Sequence, residues 1–168
     1  GKLALELFIE AYHQQTGNAA IILRPSNLYG PGQHAKQQFG IVPTLLAAAR
    51  DGRPFTIWGD GSARRDFLYI DDFLDLCDRI ITPDSGREPF AVFNGGYGEG
   101  VSILELCNLV ERVTGRCLHR EFAQQRGIDM PVAHLDTSKA RTALGWSAQT
   151  PLDNGLERTW RWFLETRS

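Results

Sequence analysis

Adjacent arginines give this sequence a candidate site for a doubly charged anion. Arg64 and Arg65 lie in the segment GDGSARRDFLYIDD (59–72). A guanidinium group binds phosphate or carboxylate oxygens through two parallel N–H donors. Because neighbouring side chains on a strand point to opposite faces, we expect only one of the two arginines to serve. A surface ion pair with Asp66 or Asp71 is the alternative.

A further arginine lies near a carboxylate in the segment QQRGID (124–129). Arg126 could hold a phosphate group, and Asp129 could accept hydrogen bonds from hydroxyl groups; a solvated loop is the alternative. Trp58 precedes a glycine turn and could stack on a flat base. A tryptophan is, however, more often part of the core. Taken alone, each of these features is also explained by ordinary packing or solvation.

The glycine-rich segment NGGYGEG (94–100) lies between a predicted strand and a predicted helix. It differs from the G-x-G-x-x-G pattern of dinucleotide-binding loops, so we interpret it as a turn that reverses the chain. Three cysteines and four histidines show none of the spacings of a metal site or of a disulfide framework. We therefore expect no metal.

Composition describes an ordinary globular chain. The 168 residues are 42% hydrophobic and 23% charged, with a net charge of −2, which predicts one domain with its own core. So weak a charge favours neither nucleic acid nor a membrane surface as a partner. Neither a signal peptide nor a long apolar run is visible, and a cytoplasmic location is the expectation.

Hydrophobic periodicity and capping signals predict alternating strands and helices, which is the α/β class. Strands are predicted at 19–25 (buried on both faces), 55–58, 66–70 and 90–94, with a loop at 29–33. Helices are predicted from the start of the chain to Gly17, at 41–50 and 71–81, from the capping box of Ser102 and Glu105 to Gly115, from Asp136, and from Thr150 as N-cap with Pro151 at N1 and Asp153 at N3.

The first helix is unusual because it is apolar on more than one face. It carries apolar side chains at helical spacing, and no Ser, Thr, Asp or Asn precedes them to cap the helix: Leu3, Leu5, Leu7, Phe8, Ile9 and Tyr12. Such a helix needs an apolar surface to cover it.

Four motifs in one order resemble a known family. These are LRPSNLYGPGQ (23–33), WGDGSARRDFLYIDD (58–72), FNGGYGEGVSILEL (93–106) and DTSKARTALGW (136–146). The sequence resembles the second half of extended short-chain dehydrogenase/reductases, the NAD-dependent epimerase/dehydratase family of nucleotide-sugar enzymes of the UDP-glucose 4-epimerase type. The resemblance covers essentially the whole chain.

The resemblance implies that the chain is a C-terminal fragment. The family's catalytic signature is Y-x-x-x-K, and Lys2 matches its lysine, so the tyrosine would lie before residue 1. Residues 1–168 would form a single C-terminal substrate-binding domain of an extended Rossmann-type enzyme, in which 1–33 is the remnant of the Rossmann part: the active-site helix and one late strand. The N-terminal nucleotide-binding strands would be missing.

The same resemblance assigns the cofactor contacts. Lys2 would depress the pKa of the catalytic tyrosine and hydrogen-bond the nicotinamide ribose of NAD, and the backbone near Pro25 would lie beside the nicotinamide. NAD is expected for the full-length protein, with no binding to these 168 residues alone. An exposed lysine at a helix start is the alternative interpretation of Lys2.

The substrate contacts also follow from the resemblance, residue by residue. Asn27 would donate to the diphosphate of a nucleotide sugar, with a preference for a UDP-sugar, and Arg65 would clamp that diphosphate. Trp58 would pack on the uracil ring. Arg126 and Asp129 would hold phosphate and ribose hydroxyl groups.

A sugar 4-epimerase, inactive as a fragment, is therefore the first functional interpretation. A dehydratase, decarboxylase or reductase of the same family stays open, since Gly40 stands where several epimerases carry asparagine. We also expect a homodimer through helix 1–16, which in a fragment could be non-native. A self-associating fragment without ligand binding, and an unrelated α/β scaffold, are the remaining alternatives.

Overall fold

The computed structural model describes residues 1–35, 40–82, 88–127 and 130–166, so the predicted site residue Asp129 lies outside the described residues. The helices are α1 (Lys2–Thr16), α2 (Ile41–Asp51), α3 (Ile70–Ile81), α4 (Ile103–Thr114), α5 (Ser138–Leu144) and α6 (Leu152–Glu165). The strands are β1 (Ala20–Pro25), β2 (Asn27–Tyr29), β3 (Phe55–Trp58), β4 (Arg64–Arg65), β5 (Phe67–Tyr69), β6 (Phe90–Gly95), β7 (Val101–Ser102), β8 (Arg120–Ala123) and β9 (Val132–Ala133).

Most strand pairs are parallel, which confirms the predicted α/β class. β1 pairs with β6, β2 with β5, and β3 with β8, all in parallel. β4 lies between β7, which is antiparallel to it, and β9, which is parallel. Parallel strands end at the same edge of a sheet, so the segments that follow β3 and β8 are neighbours.

Two apolar clusters hold these elements together. The larger one packs α2, α4 and α6 against β3 and β5, with Leu45, Leu46, Ile57, Leu106, Val110 and Leu156 almost fully buried. The smaller one packs α3 and α5 against β6 and contains Leu68, Leu76, Ala91, Phe93, Ala140 and Trp146. Both clusters join elements that are far apart in sequence.

Helix α1 lies on the outside of this arrangement, and all of its residues are exposed or half-buried. Glu6 and Arg24 of β1 form an ion pair, with an Arg24 Nε to Glu6 Oε1 distance of 3.0 Å. The imidazole of His13 stacks on Phe90 at 5.4 Å between ring centroids. The helix ends at Gly17, as predicted, with a left-handed φ of 70°.

Several predicted details were wrong. Thr150 is not the N-cap of α6: its N–H donates to the carboxylate of Asp72 at 2.9 Å, and the extended Pro151 takes the N-cap position. α5 begins at Ser138 rather than at Asp136, whose carboxylate accepts the N–H of Ser138 at 2.9 Å.

The predicted strands also needed correction. The predicted strand 66–70 is shorter in the structure: β5 spans Phe67–Tyr69, Asp66 lies between β4 and β5, and α3 begins at Ile70. Tyr29 belongs to β2 rather than to a loop. The strand at 19–25 is not buried on both faces: of β1, only Ile22 is buried, because α1 covers the strand without a close-packed interface.

Candidate nucleotide-binding site

Arg64 and Arg65 contact different segments, as strand alternation predicts. The Nε of Arg64 donates to the carbonyl of Gly100 at 2.9 Å, and its Nη2 lies 3.2 Å from the carboxylate of Glu105. The Nη1 of Arg65 donates to the carbonyl of Met130 at 2.7 Å and to that of Arg64 at 2.9 Å. Arg64 thus supports the start of α4, and Arg65 reaches the connection between β8 and β9.

The surface ion pair that was the alternative for these arginines does not form. Asp71 lies 3.9 Å from Arg158 on α6. Asp66 is buried and accepts hydrogen bonds from uncharged donors. Among the described residues, Arg65 makes no ion pair with a carboxylate, so its half-buried guanidinium retains N–H donors for an anionic ligand.

Trp58 and Arg126 contact each other at the carboxyl ends of β3 and β8. The Cζ of Arg126 lies 4.9 Å from the centroid of the Trp58 ring, a cation–π distance. Trp58 is 46% exposed, so the interpretation of this residue as part of the core was wrong. The parallel pairing of Trp58 with Ala123 brings the two segments together.

Asn27, the first residue of β2, is bound to the junction between β4 and β5. Its backbone N–H and its side-chain Nδ2 both donate to the carbonyl of Asp66, at 3.1 Å and 2.8 Å. Asn27 is exposed, and Asp66 follows Arg65 directly. The predicted contacts of the diphosphate, Asn27 and Arg65, are therefore adjacent in space.

The connection between β8 and β9 joins the two groups of residues. It carries Arg126, which lies over Trp58, and Met130, whose carbonyl accepts from Arg65. The structure thus brings Arg65 to Met130 in one part of this connection and Trp58 to Arg126 in another. Asp129 belongs to the same connection in sequence but lies outside the described residues.

Lys2 and Pro25 lie at the same end of the contact between α1 and β1. Lys2 begins α1, and Glu6 follows one turn later on the same helical face. Glu6 pairs with Arg24, which precedes Pro25 at the carboxyl end of β1. The structure therefore places both predicted cofactor contacts at this end of β1. Among the described residues, neither Lys2 nor Pro25 hydrogen-bonds Arg64 or Arg65.

Asn94 and Gly95 of the segment NGGYGEG end β6, and residues 96–100 form the predicted connection toward α4, in which two N–H groups are already used. The N–H groups of Tyr97 and Gly98 donate to the carboxylate of Asp66, at 2.9 Å and 3.1 Å. Sequence reasoning gave Asp66 no role beyond a surface ion pair. The signal for its burial was a charged residue inside the apolar strand segment DFLYI.

Electrostatic effects at the edge of the site centre on Glu105. The backbone N–H and the side chain of Ser102, and then Arg64, hold the pKa of Glu105 below its ordinary value.

Two cavities of about 220 Å³ and 410 Å³ lie along α4 and α6. Asn27, Trp58, Arg65 and Arg126 line neither cavity, so the candidate site is an open surface rather than one of these cavities.

No group of three or more His, Cys, Asp or Glu side chains within the described ranges is placed to hold a metal ion. In the same part of the chain, every helix is too short or too polar to cross a membrane.

Comparison with known proteins agrees with this fold. The profile of the NAD dependent epimerase/dehydratase family matches residues 1–96, more than half of the chain. The chain therefore belongs to the NAD-dependent epimerase/dehydratase family, as its motifs predict.

Two curated relatives show the range of activities within the family. A dTDP-4-dehydro-6-deoxy-D-allose reductase of Streptomyces bikiniensis is 34% identical over 159 residues, which are 94% of this chain and 47% of the relative. A UDP-glucose 4-epimerase of Mycolicibacterium smegmatis is 32% identical over 97% of this chain and 51% of its own length. The chain spans about half the length of the curated relatives it matches.

Solved structures share the fold over almost all of this chain. UDP-glucose 4-epimerase of Thermotoga maritima, solved with UDP-glucose, has a TM-score of 0.91 and 29% identity, and the match covers 98% of this chain and 52% of that one. UDP-glucuronic acid 4-epimerase of Bacillus cereus, solved with UDP-glucuronic acid and NAD, has a TM-score of 0.88 and 28% identity. The match covers 98% of this chain and 51% of that one.

Proposed function

We propose that this chain forms the nucleotide-sugar-binding part of an NAD-dependent enzyme that modifies a nucleotide sugar, with a UDP-sugar 4-epimerase as the first candidate. The observation that carries the proposal is the arrangement of Arg65 and Arg126 around one connection, with an exposed indole beside Arg126. A diphosphate carries charge that suits two guanidinium groups, and a base suits the flat ring of Trp58.

Each residue of the candidate site has a role in this proposal. Arg65 and Asn27 bind the diphosphate, because both lie at the β4–β5 junction: Arg65 precedes Asp66, and Asn27 donates to the Asp66 carbonyl. Trp58 stacks on the base, and Arg126 neutralises phosphate charge next to it. Asp129 binds ribose hydroxyl groups in the same proposal.

NAD would supply hydride-accepting chemistry to this reaction. The carboxyl ends of parallel strands are where α/β proteins bind such ligands, and Lys2 and Pro25 lie at the carboxyl end of β1. We propose that the Lys2 ammonium donates to a ribose hydroxyl of NAD and that the Pro25 backbone lines the nicotinamide position. Two residues are too few to hold a dinucleotide, so the 168 residues alone are proposed to be inactive and to bind no NAD.

The relatives of this chain carry out different reactions. A reductase is among the relatives at 34% identity, and a dehydratase and GDP-L-fucose synthases also match. These relatives are named for dTDP-, UDP- and GDP-linked sugars, so the base preference is a testable part of the same proposal.

Calorimetric titration of the 168-residue chain tests the binding function. We expect UDP to bind, dTDP and GDP to bind more weakly, and NAD to give no heat. Arg65→Ala should weaken UDP binding about tenfold or more, since hydrogen bonds to charged groups contribute about 1.5–3 kcal/mol. Arg53→Ala removes an exposed arginine next to Asp51 instead and is the matched control. Equal affinities in wild type and Arg65→Ala would contradict the site.

Self-association through α1 is a second proposed function, favoured by its exposed apolar side chains. Leu3, Leu5, Leu7, Phe8 and Tyr12 are all more than half exposed. We propose a second copy of this chain as the occupant of this surface, in a homodimer that is native or non-native.

A further inference from the structure

A buried carboxylate lies directly behind the proposed diphosphate contacts. Asp66 is 1% exposed and accepts four hydrogen bonds through its side chain. Its Oδ1 accepts from Ser26 Oγ at 3.2 Å and from the N–H of Tyr97 at 2.9 Å. Its Oδ2 accepts from the N–H groups of Gly98 and Leu135, at 3.1 Å and 3.2 Å. Two carboxylate oxygens offer about four acceptor sites, so this set of donors fills them.

The main chain of Asp66 is bound as fully as its side chain. Its N–H donates to the carbonyl of Ala133 at 3.0 Å, and its carbonyl accepts both donors of Asn27. One residue thus joins the start of β2, the loop after β6, and the segment around β9. The pairing of β2 with β5 and of β4 with β9 also holds these segments, and Asp66 adds a buried side-chain network at the point where they meet.

The loop after β6 fits closely against this carboxylate. A Cβ atom added at Gly96 would lie 2.4 Å from Asp66 Oδ2 and 3.2 Å from its Cγ. Only glycine therefore allows the loop to approach until the N–H groups of Tyr97 and Gly98 reach Asp66. Gly96 and Asp66 depend on each other for this geometry.

The position of Asp66 connects this network to the ligand contacts. It follows Arg65, whose guanidinium reaches Met130, and it carries the carbonyl that binds Asn27. A shift of Asp66 would move the backbone of Arg65 and the acceptor of Asn27 together. An unpaired buried carboxylate is costly, so the network has a strong preference for the arrangement in which all four donors reach it.

We propose that Asp66 is a positioning residue that holds Asn27 and Arg65 in the geometry that binds the diphosphate. The inference rests on the proposed function, because it assigns those two residues to the diphosphate. It adds a group that contacts no ligand itself and acts through its neighbours.

The affinity ratio of UDP to uridine is the measurement that tests this inference, because uridine lacks the diphosphate. Asp66→Asn replaces one acceptor oxygen with an NH₂ group, which accepts no hydrogen bond. Either the pair Ser26 and Tyr97 or the pair Gly98 and Leu135 therefore loses its acceptor. We expect the ratio to fall about tenfold, which corresponds to about 1.4 kcal/mol, while uridine binding stays unchanged. Equal losses for UDP and uridine would show a general structural role and overturn the proposal.

A double-mutant cycle with Arg65→Ala gives a second, independent criterion. If Asp66 acts through Arg65, the two changes together should weaken UDP binding by less than the product of their separate effects. Fully multiplicative effects would overturn the inference. Failure of wild type to bind UDP, or an Arg65→Ala variant with unchanged affinity, would instead contradict the proposed function itself.

A milder variant keeps the test decisive if Asp66→Asn does not fold. Ser26→Ala removes one of the four donors and should lower the ratio of UDP to uridine affinity about threefold, in line with a single hydrogen bond of about 0.5–1.5 kcal/mol. Ser147→Ala removes an exposed hydroxyl outside this network and is the matched control. A ratio that is unchanged in Ser26→Ala would overturn the inference.

Discussion

The guanidinium of Arg126 lies over the indole ring of Trp58, with 4.9 Å between Cζ and the ring centroid. The contact joins the loop after β8 to the end of β3, and it places a cation beside the only flat, exposed ring among the proposed ligand contacts. A base that stacks on Trp58 would therefore have its phosphate groups within the reach of a positive charge.

Separate contributions of Trp58 and Arg126 can be measured with UDP and uridine. Trp58→Ala should weaken the binding of both ligands by a similar factor, about tenfold, because stacking on an aromatic side chain contributes about 1–3 kcal/mol per base. Arg126→Ala should weaken UDP binding and leave uridine binding nearly unchanged. The measurement is calorimetric titration of each variant.

The control for Trp58 is an exposed aromatic residue on the neighbouring strand. Phe122 of β8 is 60% exposed and pairs with Ile57, one position before Trp58. Phe122 lies on the opposite face of its strand from Ala123, the partner of Trp58. Phe122→Ala should bind UDP as wild type does. If it weakens binding as much as Trp58→Ala, the base does not stack on Trp58.

Self-association is expected to depend on the apolar surface of α1. Phe8 is 73% exposed and Leu5 61%, on a helix whose residues are all exposed or half-buried. Phe8→Glu places a charge on this surface and should convert a concentration-dependent dimer or larger species into a monomer, because burial of an unpaired charge is costly. Sedimentation velocity over a range of concentrations measures the change.

The same substitution on another helix shows whether self-association depends on α1 or on any exposed apolar residue. Leu74 of α3 is 56% exposed, and Leu74→Glu should leave the sedimentation behaviour of the wild type unchanged. A wild-type chain that remains monomeric at high concentration would contradict the proposed homodimer through α1.

The contact of Gly155 with Tyr29 predicts that Gly155→Ala destabilises the fold, whereas helix propensity alone would predict that it stabilises α6. A Cβ atom at Gly155 would lie 2.1 Å from the Tyr29 hydroxyl oxygen and 2.8 Å from its Cζ. Gly155→Ala should therefore lower the free energy of unfolding by about 1–3 kcal/mol through overpacking, although alanine is the better helix former. Urea denaturation gives the difference.

Tyr29→Phe is the partner variant for this test. Among the described residues, the Tyr29 hydroxyl has one hydrogen bond, a long one of 3.5 Å to the carbonyl of Leu152, so removing this hydroxyl alone should change stability little. In the Tyr29→Phe background, the cost of Gly155→Ala should become smaller, because the nearest atom is gone. The cost should not vanish, since Cζ remains. An equal cost in both backgrounds would show that the contact with the hydroxyl is not the cause.

Local features of the fold were predictable from the sequence because their interactions are local. The capping box of α4 forms as predicted: Ser102 N donates to Glu105 at 2.8 Å, and Glu105 N donates to Ser102 Oγ at 3.1 Å. Gly52 and Gly115 end their helices in the left-handed conformation that glycine adopts without strain. Within such short segments, residue types decide the geometry.

The short strands and the junction at Asp66 could not be predicted in this way. β4 and β9 have two residues each, too few for an alternating pattern to be visible. The donors to Asp66 come from residues 26, 97, 98 and 135, which only the tertiary fold brings together. The single-residue interruption between β4 and β5 has the same origin, since Asp66 is held by these distant groups.

The capping box also predicts how the stability of the chain depends on pH. The backbone N–H and the side chain of Ser102, and then Arg64, hold the pKa of Glu105 below its ordinary value of 4.5. A carboxyl group whose pKa is lower in the folded state stabilises the fold at pH values above the unfolded pKa. This stabilisation is lost as the pH falls through the folded pKa. Glu105→Gln should therefore be less stable than wild type at neutral pH.

Urea denaturation at pH 7 and at several values below 4.5 measures the effect, because the difference between wild type and Glu105→Gln should shrink as Glu105 is protonated. Ser102→Ala removes the N-cap hydroxyl and should lower the free energy of unfolding by about 1 kcal/mol at neutral pH. Glu121→Gln on β8 is the control for a lost carboxylate, because Glu121 is exposed and lies outside the capping box. Parallel pH profiles for wild type and Glu105→Gln would mean that the Glu105 carboxylate does not stabilise the start of α4.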